Sequence, residues 1–154
     1  MGLDMYLDKD LSISEYGPDK GVIDKVYKLL GVKDESGNYK HMSFKLPAIY
    51  WRKSNQIHKW FVDNVQKGND DCGYYYVSIE KMKTLLGLIK AQLKNKEKII
   101  LKPQSGFFFG GTDIDEWYWV DLERTKKELE REIDFWAAEQ EKGRHWYFEY
   151  HSSW

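Results

Sequence analysis

Leu3, Met5 and Leu7 alternate with Gly2, Asp4 and Tyr6, the two-residue period of a half-buried strand, so the first predicted strand begins almost at the N-terminus. After the turn-like Tyr16-Gly17, Pro18 suits the opening of a helix. In it Val22, Ile23, Val26, Tyr27 and Leu30 share a face, and Gly31 supplies the stop. Residues 34–38 read as a turn and Tyr39 to Leu46 as a short strand, after which Pro47 is expected to open the next helix. From Ala48 to about Gln66 the apolar stripe of that helix is Tyr50, Ile57, Phe61 and Val65. A polar loop over 68–73 leads to a strand at Tyr74 to Val77, and Ser78 is placed to cap a helix. Met82, Leu85, Leu86, Ile89 and Leu93 trace the clearest helical stripe in the chain, with Gly87 in its middle. Ile99 to Leu101 reads as a short strand, and 104–111 as a loop. Thr112 or Asp113 is the expected cap of a last helix, whose face is Tyr118, Leu122, Leu129, Ile133 and Trp136, with a break suggested at Trp119-Val120. Trp146, Phe148 and Tyr150 then alternate as a closing strand. The pattern predicts an α+β fold: about four helices packed with a small, mainly antiparallel sheet that includes the N- and C-terminal strands, in one domain over 1–154.

Composition adds how such a core is built. Leu, Ile, Val and Phe make up about a quarter of the chain, above the roughly one fifth below which chains stay disordered. With 7 Trp, 11 Tyr and 7 Phe, aromatic rings carry much of the burial. The 24 basic and 25 acidic residues nearly cancel, so no global field draws the chain to nucleic acid or anionic lipid. No apolar run has the length of a membrane span, and a single cysteine, Cys72, fits a reducing, cytoplasmic setting.

Three segments bear side chains suited to chemistry. On the flank of the predicted 48–66 helix, Trp51, Asn55, His58 and Val62 fall at helical spacing. Asn55 and His58 there suit hydrogen bonding to a ligand beside an aromatic wall, with Arg52 near for an anion. The alternative is a partly buried Asn and His bonded to backbone. The loop from Pro103 to Asp113 holds Gln104, Ser105 and the rings of Phe107, Phe108 and Phe109 between glycines. It lacks the Lys-Ser/Thr pair of a phosphate loop and carries Asp113, Asp115 and Glu116 where an anion would sit. At the end of the chain, His145, Glu149 and His151 can share a strand face, but same-face neighbours stand nearly 7 Å apart, too far for a compact metal or proton-transfer site without further groups. Neither a metal nor a cofactor is expected, and a Cys72–His58 thiol–imidazole pair finds no support in the spacing.

Met1-Gly2-Leu3-Asp4-Met5-Tyr6-Leu7, the Tyr50 to Phe61 segment, Tyr75-Tyr76-Val77-Ser78, Gln104 to Gly110 and the terminal Ser152-Ser153-Trp154 together resemble a family of small proteins found in bacteriophages, prophages and their bacterial hosts. Gly111 departs from the pattern, where Ser is expected. The resemblance implies a phage or mobile-element setting and carries no active-site assignment. It directs expectation to a non-catalytic binding module acting on the host, one that counters host defence. Its aromatic-walled pocket of Trp51, Arg52, Asn55, His58, Gln104, Ser105 and Phe108 would take a nucleotide-like small molecule or a host-protein loop. The alternatives are a small hydrolase or transferase using His58 or His151 as general base, and a structural or assembly protein of the virion. Exposed aromatics are also compatible with a homodimer.

Overall fold

Alternation at the N-terminus extends further than the first seven residues: Lys9, Leu11 and Ile13 continue the inward series, and the strand β1 runs Asp4–Ser14. The computed structural model describes residues 2–33, 40–106 and 109–154. The predicted turn at 34–38 and Tyr39 lie outside them. After β1 come α1 (Lys20–Leu30), β2 (His41–Arg52), α2 (Asn55–Asn64), β3 (Tyr75–Val77), α3 (Ile79–Lys94), α4 (Glu116–Glu141) and β4 (Tyr147–Ser153). The strands form one antiparallel sheet in the order β2-β1-β4-β3, with the N- and C-terminal strands at its centre. The fold is α+β, as the pattern predicts.

Inward-facing Leu3, Met5, Leu7, Ile49, Trp51, Val77, Phe148 and Tyr150 meet α2, α3 and α4 in one apolar cluster. Each fully enclosed side chain of this kind contributes roughly 1.5–3 kcal/mol. A smaller cluster joins Leu11 and Ile13 at the far end of the β1–β2 hairpin to Ile23 of α1 and to Trp146. The opposite sheet face carries Asp4, Tyr6, Asp8, Tyr50, Glu149 and His151, and among the described residues it packs against no helix.

Four local readings are corrected. Pro47 opens no helix: β2 continues through it to Arg52, and α2 begins only at Asn55. Pro is tolerated there because β2 is an edge strand and Ala48 is the extra residue of a bulge, Leu7 pairing with Ile49 and Asp8 with Pro47. The same edge is covered by α4, where Arg124 donates to the Tyr50 carbonyl at 2.6 Å and Arg131 to that of Ala48 at 2.8 Å. Ile99 to Leu101 is not a strand. Gln92, wholly buried, accepts from the Ile100 and Leu101 amides and donates to the Asn95 and Lys98 carbonyls at 3.0 and 3.1 Å, so a side chain takes the bonds a neighbouring strand would have made. The cap of α4 is neither Thr112 nor Asp113 but Asp115, whose carboxylate accepts from the Tyr118 amide at 3.0 Å, and the helix runs unbroken past Trp119-Val120. Ser78 caps α3 and Gly31 ends α1 in the left-handed conformation, both as predicted.

Candidate functional site

Strand β2 hands over to α2 in two residues. The Lys53 amide bonds the Leu3 carbonyl at 2.8 Å, Lys53 itself adopts φ 56, and the Ser54 carbonyl receives the Ile57 and His58 amides at 3.0 Å. This corner aims the first turn of α2 at the glycine-rich loop. Asn55 makes the joint, its side-chain amide donating to the carbonyls of Gly111 at 2.6 Å and Phe109 at 3.4 Å. Phe109 anchors the loop from beneath: it is buried and edge-on to the His58 ring at 4.9 Å. Gly110, with φ 88, then turns the chain back across the Lys53 stem, a conformation that strains any residue with a Cβ.

Between this joint and the first turns of α4 lies a hollow of about 320 Å³. Arg52 and Lys53 stand at its β2 side, Gly110 and Gly111 form the loop wall, and Trp117, Tyr118 and Asp121 face it from α4. Asn55 and Gln56 bring the start of α2 to its edge, and Asp113 and Asp115 add carboxylates. Burial pushes the Asp121 carboxyl above its ordinary range, while Ser54, Arg124 and Gln56 act in the opposite direction. The Ser54 hydroxyl and Gln56 amide nitrogen approach Asp121 closely enough to favour its charge, yet neither makes a well-formed hydrogen bond, and both are enclosed. Tyr118 is anchored by its hydroxyl on the Leu101 carbonyl at 2.7 Å, and burial pushes its phenol up to about 12. Trp117 is 73% exposed, an indole with a free face at the mouth.

The sequence-predicted residues divide. Arg52 and Asn55 line the hollow, although both donor hydrogens of Asn55 are directed at the loop. Trp51 lies on β2, not on a helix, and points the other way into the core, where its indole donates to Thr125 at 2.8 Å. Gln104 is half-buried and Ser105 exposed, and neither forms part of the wall, although their neighbour Pro103 does. Phe108 lies outside the described residues. Lys53, Gln56, Trp117 and Asp121 were not singled out from sequence. Trp117 and Asp121 carry a signal in retrospect: they are four apart on a helix whose buried face includes Tyr118 and Leu122, so they form the adjacent stripe.

His58 sits behind the loop, fully enclosed. Its Nδ1 lies 2.8 Å from the Tyr150 hydroxyl and its Nε2 3.1 Å from Asp70, which also accepts from the Trp154 indole at 3.1 Å. Both ring nitrogens are therefore engaged. Burial holds the imidazole below its ordinary value, with the Asp70 carboxylate opposing. Burial likewise raises the Tyr150 phenol, which stacks on Phe61 at 4.0 Å. His151 is on the opposite sheet face, between Tyr6 at 4.6 Å and Tyr74 at 4.4 Å. Glu149 shares that face and pairs with Lys45, whereas His145 precedes β4 and meets Gln140 at 2.9 Å. Cys72 is half-buried at φ 55. Among the described residues no group of three or more His, Cys, Asp or Glu side chains is disposed to hold a metal ion, and no helix is long and apolar enough to cross a membrane. No protein-family model matches the chain, nor does any curated protein or solved structure.

Proposed function

We propose that the chain is a phage-type accessory protein that binds a nucleotide-like small molecule in the hollow between α2, the Gly110–Gly111 turn and α4. The observation that carries this reading is the grouping of three kinds of contact around one space: a cationic side at Arg52 and Lys53, the free indole face of Trp117, and the carboxylates of Asp115 and Asp121. A phosphate suits the first, a planar base the second, and sugar hydroxyls or an exocyclic amine the third. The carboxylates make the site a poor trap for a bare anion, so selectivity rests on a ligand that offers all three. Removing such a molecule from solution is the form of action on the host, against its defence signalling, that fits a protein with this site.

Three exposed apolar side chains around the start of α4, Ile114, Trp117 and Val120, of which Trp117 lines the hollow, favour a second reading in which a host-protein loop docks its own ring or cation beside Trp117. General-base catalysis draws less support, because His58 has no exposed surface and His151 faces away from the hollow. Calorimetric titration with a panel of mono-, di- and cyclic nucleotides tests the proposal. Arg52→Ala is expected to weaken a binding nucleotide by about ten- to a hundredfold, the loss of one charge-assisted contact, and Trp117→Ala to weaken it independently. A panel without a binder, or a binder indifferent to both substitutions, overturns it.

A further inference from the structure

The sheet face that no helix covers among the described residues has a composition of its own. Along the register, Tyr50, Tyr6 and His151 form one rung, and Asp8, Glu149 and Tyr76 the next. Asp10 lies between Lys45 and Tyr147 on a third. Tyr6 lies 5.3 Å from Tyr50 and stacks on His151, so the rings make a continuous band. Tyr50, Tyr74, Tyr76 and Tyr147 are 40%, 62%, 66% and 41% exposed, a concentration of large rings that an uncovered polar face does not require.

The charges on this face do not balance. Asp4, Asp8, Asp10 and Glu149 stand against the permanent cations Arg52 and Lys45, and the His151 ring lies 3.5 Å from Asp8. One ammonium serves two carboxylates: Lys45 binds Glu149 closely and stays 3.9 Å from Asp10. Asp10 is only 5% exposed, and its Oδ2 makes no hydrogen bond. The site also shows how it treats a cation, since the Lys45 ammonium lies 5.1 Å from the centre of the Tyr74 ring. Carboxylates short of two permanent positive charges, ringed by exposed tyrosines, are complementary to guanidinium or ammonium groups, which gain from both the charge and the ring faces. The carboxylates and rings are spread over four strands, which suits an extended polypeptide more than an isolated amine.

We propose that this sheet face is a docking surface for a basic segment of a partner protein, whose Arg or Lys side chains pair with Asp8 and Glu149 and stack on Tyr76 and Tyr147. Arg52 borders both this surface and the hollow, so the test of the surface leaves that residue unchanged. The probe is a fluorescent peptide of alternating Arg and Ser, followed by anisotropy on the full chain at low and at moderate salt, with a Glu-Ser peptide as control. The basic peptide is expected to bind and the acidic one not, with affinity falling as salt rises. Glu149→Gln combined with Asp8→Asn is expected to weaken binding by about tenfold. Tyr76→Ser, at an exposed ring on a short edge strand, is expected to weaken it without loss of folding, monitored by circular dichroism. Glu123→Gln on the exposed side of α4 is expected to leave it unchanged. Equal binding of both peptides, indifference to Tyr76→Ser and the double substitution, or a concentration-dependent dimer that Tyr76→Ser dissociates, overturns the proposal.

Discussion

Asn55 is the residue on which the hollow's geometry turns, and replacing it tests that directly. Its amide spans to two loop carbonyls, one at 2.6 Å and one at 3.4 Å, from a position 2% exposed. Asn55→Ala removes the donor and leaves both acceptors. The shorter bond contributes about 1 kcal/mol net, and a carbonyl left without a partner in a dry site costs a further 1–3 kcal/mol or so. Ala is the better helix former by roughly half a kcal/mol, which offsets part of this. The expected loss is therefore about 2 kcal/mol, read as a lower urea midpoint at unchanged m-value. Asn55→Asp should be worse, because a carboxylate then faces carbonyl oxygens. Hydrogen exchange is expected to quicken at Phe109 to Thr112 more than in α3, since the joint and not the core has been cut. An Asn55→Ala protein within about 0.5 kcal/mol of the parent, with exchange in the loop unaltered, would refute the idea that this side chain holds the wall in place.

Two further outcomes follow from groups elsewhere. Gly87 lies inside α3 with open space around the position of an added Cβ, so Gly87→Ala should stabilise the protein by about 0.5–1 kcal/mol, seen as a higher melting temperature. Burial holds His58 below its ordinary value of 6.5. From there downward to the folded-state value the unfolded chain binds the extra proton, so stability falls as pH falls, at a limiting slope of about 1.4 kcal/mol per pH unit. His58→Gln should flatten that part of the urea-midpoint profile. Asp10 and Asp121, which burial raises, act in the opposite sense from lower pH and are common to both proteins, so the difference between profiles isolates the imidazole.

How much of this the sequence disclosed depended on whether one local rule acted alone. Leu3-Met5-Leu7 and Phe148-Tyr150 alternate without competition, and both strands are where the period puts them. Met82, Leu85 and Ile89 share a stripe that only a helix satisfies, and Ser78 caps it. Around Pro47 two rules competed. The spacing of Tyr50, Ile57 and Phe61 imitates a helix face, while Ile49 and Trp51 alternate as a strand, and an edge position at a bulge removed the usual objection to Pro in a sheet. Trp51 was misplaced with the helix boundary. That the Asn55 segment and the glycine-rich loop face one space was expected from sequence, but Asn55 was expected to bond a ligand, and its amide is instead directed at the Gly111 and Phe109 carbonyls. Trp117 and Asp121 were not expected, because the stripe beside a buried face looks the same whether it meets solvent or a cavity. Ile99 to Leu101 was misread because a buried glutamine in place of a neighbouring strand leaves no periodic trace.

The guanidinium groups laid along the outer carbonyls of β2 have a consequence for how copies of this chain behave when crowded. Indefinite cross-β stacking needs an open ladder on both sides of the subunit. Here Arg124 and Arg131 occupy acceptors around the proline bulge on one side, and the other side ends in a strand of three residues, Tyr75–Val77. A nascent fibril would find the ladder interrupted around the bulge at one border and only three residues long at the other.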